Sequence, residues 1–160
     1  MGGMQMMLVI GALMILSITT LNLNRAQFLS ETDLSESEYT MTATSVGQTL
    51  LNEIGTKAFD QATALSDTAG LASFAAPGAL GPNAGEVYPL FNDVDDYNRF
   101  STSVMSARAG EFTIACAVVY VNIATPNTVS TIRTRTKRVT LTVTSPLMSD
   151  PVNLVYYKSY

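Results

Sequence analysis

The residues best equipped for chemistry lie in one short stretch, Asn92-Asp93-Val94-Asp95-Asp96-Tyr97-Asn98, the densest acidic cluster of the chain. Carboxylates at this density suit a hard cation such as calcium, with Asp93, Asp95 and Asp96 as candidate ligands. The stretch lacks the glycine and the distal glutamate of an EF-hand loop. The same aspartates also suit a turn in which they accept backbone N–H groups and anchor the loop, and the composition favours that role. No metal and no other cofactor is therefore expected. The usual partners for catalysis are missing from the sequence, which has no His and a single cysteine, Cys116. A Ser-His-Asp triad, a His or Cys metal cage, the common haem ligands and an intramolecular disulfide are all excluded. No acid in the cluster has an evident basic or nucleophilic partner, so an enzyme is not expected. Nine Lys and Arg against thirteen Asp and Glu give a net charge of −4. That balance argues against a nucleic-acid binder, which needs clustered cations.

The elements that must position these residues follow from an uneven distribution of apolar side chains. The 160 residues are one domain's worth of chain, and only 14% are charged, against roughly 25% in an average soluble domain. From Met1 to Asn24 there is no charge, and Met6–Leu21 is apolar apart from Ser17, Thr19 and Thr20. A helix over Met4–Leu21 would be about 27 Å long, enough for the hydrocarbon core of a bilayer. It is apolar all round rather than striped, which distinguishes it from the buried helix of a soluble domain. No Lys or Arg precedes it within the sequence, and no small-x-small cleavage site is evident after it, unlike a secretory signal peptide.

Beyond Arg25 the pattern changes. Ser30-Glu31-Thr32-Asp33 has the form of a helix N-cap with acids in the first turn. A stripe at helical spacing follows: Tyr39, Ala43, Val46, Leu50, Ile54 and Ala58, flanked by Leu51 and Phe59. With no proline before Pro77, one helix is expected from near the N-terminus to about Thr63, roughly 90 Å in length. The expected divisions are an apolar helix over 1–24, its amphipathic continuation over 25–64, a variable loop over 65–110 and an antiparallel sheet over 111–160. The loop is rich in Gly, Ala and Pro without sustained period. In the sheet, Phe112, Ile114, Cys116, Val118 and Tyr120 alternate with smaller residues. Val139, Leu141 and Val143 alternate with threonines, and Val152, Leu154 and Tyr156 start a last strand. Turns at Ala124–Ser130 and Ser145–Pro151 make this a three-stranded meander with one face buried and one threonine-rich. Cys116 falls on the buried alternation as a small hydrophobe. The expected fold class is α+β, a long N-terminal helix packed on a C-terminal antiparallel sheet.

This order of elements resembles that of type IV pilins and pseudopilins. Gln5-Met6-Met7-Leu8-Val9-Ile10-Gly11-Ala12 is similar to the start of a mature class III-signal protein, in which an acidic fifth residue precedes an apolar run. The segments Phe91–Phe100 and Lys137–Pro146 also resemble parts of bacterial pilin-like proteins. The resemblance extends over the whole chain. It implies a structural subunit that polymerises through its N-terminal helix into an extracellular filament, with Gln5, Met7, Leu8, Ile10, Leu13, Ile15 and Ile18 at the assembly interface. The implied partners are other copies of the chain, the inner membrane before assembly, the pilus assembly machinery and a prepilin peptidase. Adhesion and secretion are the processes such filaments serve.

Two departures from the family pattern bear on that expectation. Gln5 stands where the family has glutamate, and can accept a hydrogen bond from a neighbour's terminal amine but brings no charge. Asn22 stands where a helix-breaking proline is usual. Hydroxyl and amide side chains at Ser17, Thr19, Thr20, Asn22 and Asn24 weaken the helix there, so either a continuous helix or a break confined to Ser17–Asn24 is expected, with the continuous form favoured. Two positions of leader cleavage fit: immediately before Met1, or near Gly2 or Gly3. The missing glutamate mildly favours a minor pilin or pseudopilin that primes or caps a filament. A monomeric membrane-anchored binding domain is the alternative from another class.

Overall fold

The computed structural model describes residues 2–66 and 69–160, with the side chains of Thr32 and Asp33 outside the description. The class is α+β, with a long N-terminal helix and a C-terminal antiparallel sheet. The first helix, α1, runs Gly3–Thr56 without interruption. It passes through Ser30–Asp33, so no new helix starts at that cap-like sequence, since nothing there forbids helical backbone. It also passes through Ser17–Asn24, where hydroxyls turn back onto the preceding turn instead of breaking it. Ser17 Oγ donates to Leu13 O at 2.8 Å, Thr19 Oγ1 to Ile15 O at 3.0 Å, and Thr20 Oγ1 to Leu16 O at 2.8 Å.

The chain divides into two compact units, Met1–Glu38 and Tyr39–Tyr160. The first is helical from Gly3 onward. In the second, the remainder of α1 lies on a sheet of five strands: β1 (Ser101–Ser106), β2 (Gly110–Asn122), β3 (Thr125–Val129), β4 (Thr136–Thr144) and β5 (Val152–Ser159). The order is β1-β2-β4-β5, all antiparallel, with β3 paired to the end of β2. The expected three-stranded meander is thus β2, β4 and β5, and two further strands join it. β1 lies inside the stretch expected to be loop, and Gly110, at φ 71°, closes the turn that folds it back on β2. β3 occupies the expected turn after Ile123, where a shift of register at Val121/Asn122 lets a short return strand pair.

Alternation places Phe112, Ile114, Cys116 and Val118 of β2 and Val139, Leu141 and Val143 of β4 in one core with Ala43, Leu50, Leu51 and Ile54 of α1. Tyr39, Val46, Leu154 and Tyr156 pack around it, half-buried. The helix approaches the sheet most closely at Gly47, where a Cβ would stand 2.5 Å from Leu154 Cδ1 and 3.1 Å from Val143 Cγ2. A smaller cluster gathers Phe59, Phe74, Leu80 and Tyr120.

α1 ends at Thr56, short of the expected Thr63. Ala58 leaves the helix to bridge the acidic segment: Ala58 N donates to Asn92 O at 3.1 Å and Val94 N to Ala58 O at 3.0 Å. Lys158 of β5 donates from Nζ to Gly55 O at 2.7 Å and Lys57 O at 2.6 Å, covering carbonyls that the terminated helix leaves unpaired. Asp60 then caps the short α2 (Gln61–Leu65): its Oδ1 accepts from Ala62 N, while its own N–H donates to Thr63 Oγ1.

Candidate functional site

Two regions carry the candidate residues, and each is described by itself. On the apolar part of α1, Gln5, Met7, Leu8, Ile10, Leu13, Ile15 and Ile18 are all exposed, Leu8 by 67% and Leu13 by 57%. Met4, Met6, Val9, Met14 and Leu16 are exposed as well, so the surface is apolar around the helix. Met1, the other residue of the expected amine contact, lies outside the described residues. Among the described residues, α1 is the one helix long and apolar enough to cross a membrane.

The second region is buried. The turn Asp95–Tyr97, a single 3-10 turn, packs beneath β2, and Asp93, Asp95 and Asp96 are all buried. Two of these acids accept backbone N–H groups. Asp96 Oδ2 accepts from Asn92 N at 2.9 Å and Asp93 N at 3.2 Å, and Asp93 Oδ1 accepts from Asp95 N at 2.6 Å. Tyr97 donates from its hydroxyl to Glu53 Oε1 of α1 at 2.6 Å, tying the turn to the helix. Among the described residues, no group of three or more acidic or cysteine side chains is placed to hold a metal ion.

The basic partner that the sequence left unassigned is Lys137. It is 0% exposed, and its Nζ lies 2.7 Å from Phe59 O, 3.0 Å from Asp60 Oδ2 and 2.6 Å from Asp95 Oδ1. The rings of Phe59 and Tyr120 stand 4.3 and 5.1 Å from the same nitrogen. Asp60 is buried with it, and its Oδ2 also accepts from Ala75 N at 2.9 Å. Lys137 and Asp60 were both missed in the sequence, although one signal was there. Lys137 continues the alternation of Val139, Leu141 and Val143 toward the core, an unusual position for a lysine without a buried partner.

One cation cannot neutralise this many buried carboxyls, and their ionisation separates accordingly. Burial works to raise Asp60, but the Ala75 N–H, Lys137 and the Ala62 N–H outweigh it and hold the carboxyl below its usual value. Burial, reinforced by Asp96, pushes Asp93 up to about 7. Burial outweighs the attraction of Lys137 and pushes Asp95 up to about 8. Cys116, by contrast, is an inert core thiol that burial pushes up to about 12. The geometry thus defines a folded α+β unit with an interior ion cluster, and, described by itself, a helical segment whose large apolar residues are exposed. Comparison with protein-family models, with curated proteins and with solved structures finds no match for this chain.

Proposed function

We propose that this chain is a pilin-like structural subunit that polymerises through its apolar N-terminal helix into an extracellular filament, without enzymatic activity. The observation that carries this is the all-round exposure of large apolar residues over Met4–Leu21. Such a surface is stable in a membrane or against equivalent helices, and costly in water. Burying roughly a dozen such side chains at about 1.5–3 kcal/mol each supplies tens of kcal/mol before ordering costs. Repeated heterologous contacts between identical subunits generate an open helix. The inner membrane holds the subunit before assembly, and the low-charge sheet unit forms the filament surface.

Gln5 supports a second role within the same class, a minor pilin or pseudopilin, because it offers a neighbour's terminal amine a hydrogen bond without a charge. Electron microscopy of filaments sheared from producing cells, with mass spectrometry of their composition, tests both. The chain as the dominant component supports the major role, and as a trace component the minor one. Recovery only from membranes, as a monomer, replaces both with a membrane-anchored binding domain.

A further inference from the structure

The two carboxyls that meet Lys137 do so differently. The contact of Nζ with Asp60 Oδ2 is a hydrogen bond. The contact with Asp95 Oδ1 is shorter, at 2.6 Å, yet it lacks hydrogen-bond alignment, and that oxygen has no hydrogen-bond partner. An amine held against a carboxyl, off the line of a hydrogen bond and fixed on two other sides, is placed to approach the carboxyl carbon. The surroundings are wholly buried and include two aromatic rings. In such a place, water neither solvates the charges nor competes for the carboxyl. We propose that Lys137 and Asp95 are a self-modifying pair that joins through an amide bond between Lys137 Nζ and Asp95 Cγ, with Asp60 as the proton carrier.

The step needs no reagent beyond these three side chains. Asp60 Oδ2, as carboxylate, takes one proton from the Lys137 ammonium at 3.0 Å. The freed amine lone pair attacks Cγ of Asp95 in its carboxylic acid form, giving a tetrahedral intermediate. Asp60 removes a second proton from the nitrogen as it returns the first to the departing hydroxyl. The C–O bond breaks, one water leaves, the amide remains and Asp60 is left protonated. Nothing is oxidised or reduced. The elevated Asp95 keeps the neutral acid available near pH 7, and the reaction replaces a buried ion pair with a neutral amide, which relieves the cost of burying charge. The product ties the acidic turn to β4 and encloses residues 95–137 in a covalent ring. The cross-link does not depend on the filament reading, since the cluster lies wholly within the unit Tyr39–Tyr160.

The test is the mass of the full chain, purified in detergent, incubated at neutral pH and then denatured. The expected mass is that of the sequence less one water, and tandem spectra of a digest should contain one branched peptide joining the segments around Asp95 and Lys137. The Lys137→Arg and Asp60→Asn chains should keep the full mass, the first for want of a nucleophile and the second for want of a proton carrier. A wild-type chain at full mass, with Lys137 recovered in a linear peptide, overturns the proposal. So does a water loss confined to a linear peptide, which marks a cyclised aspartate instead. Because the wild-type measurement decides, misfolding of either variant does not obscure the outcome.

Discussion

One helix, α1, has two kinds of surface. Over Met4–Leu21 its large apolar residues are exposed on every side, whereas over Tyr39–Thr56 an apolar stripe meets the sheet and a polar face of Thr40, Thr44, Gln48 and Asn52 does not. The backbone hydrogen bonding is the same in both stretches, so secondary structure alone does not distinguish them. The difference lies in the angular distribution of side chains. A stripe is satisfied by one neighbouring sheet within the chain, while a surface that is apolar all round requires a surrounding of its own kind.

That contrast can be broken most severely at Leu13. Leu13→Asp should abolish filaments, because an unpaired charge in an apolar bundle costs several kcal/mol. The circular dichroism of the sheet unit should not change. Normal filaments from this variant in electron micrographs would defeat the assembly proposal.

Within the folded unit, the largest effect is expected at Lys137. Lys137→Met removes the cation of the buried pair, and with it any Lys137–Asp95 amide, so stability should fall by at least about 3–5 kcal/mol, read from denaturant unfolding in detergent. A loss below about 1 kcal/mol would mean that the cluster is solvated or rearranges freely.

The pH dependence sharpens the same point. Asp93 holds its proton in the folded chain up to about 7, whereas the unfolded chain releases it near pH 4. Its contribution to stability is therefore full at lower pH and declines as pH rises from about 4 to 7. Asp60 is shifted the opposite way, so its contribution is present above the ordinary carboxylate range and is lost as pH falls through its folded value. Asp93→Asn keeps an acceptor for Asp95 N and should raise stability at neutral pH by on the order of 2 kcal/mol. Unfolding midpoints across this range should lose part of their downward slope, and an unchanged slope would show that Asp93 is ionised in the folded chain.

Smaller effects are expected at two contact points. Gly47→Ala places a methyl group against Leu154 and Val143 and should cost about 1–3 kcal/mol as overpacking, despite its better helix propensity. A rise in melting temperature would show that Leu154 yields. Gln5→Leu should weaken assembly by only about 1 kcal/mol, a neutral hydrogen bond, and Gln5→Glu should be tolerated or improve it. Outright loss of filaments with Gln5→Leu would assign Gln5 a larger role.

The sequence by itself determined the apolar helix, the stripe from Tyr39 to Ile54 and the alternation on β2 and β4, because each is a local periodicity set by which side of an element meets water. It also marked the acidic segment as a turn, in which Asp93 and Asp96 accept backbone N–H groups while Asp95 instead meets Lys137. Tertiary structure decided where α1 stops: past Thr56 the chain leaves the helix, Ala58 bridges the segment around Asp93 and Lys158 takes up the carbonyls of Gly55 and Lys57. It decided that Ser101–Ser106 and Thr125–Val129 are strands, because both gain their hydrogen bonds from β2 and neither carries a strong alternation of its own. It also decided the meeting of Asp60, Asp95 and Lys137, residues that only folding brings together. A lysine on the apolar face of a strand announces that a buried counter-charge must exist. Which carboxyl supplies it depends on how the chain closes, and sequence spacing does not encode that.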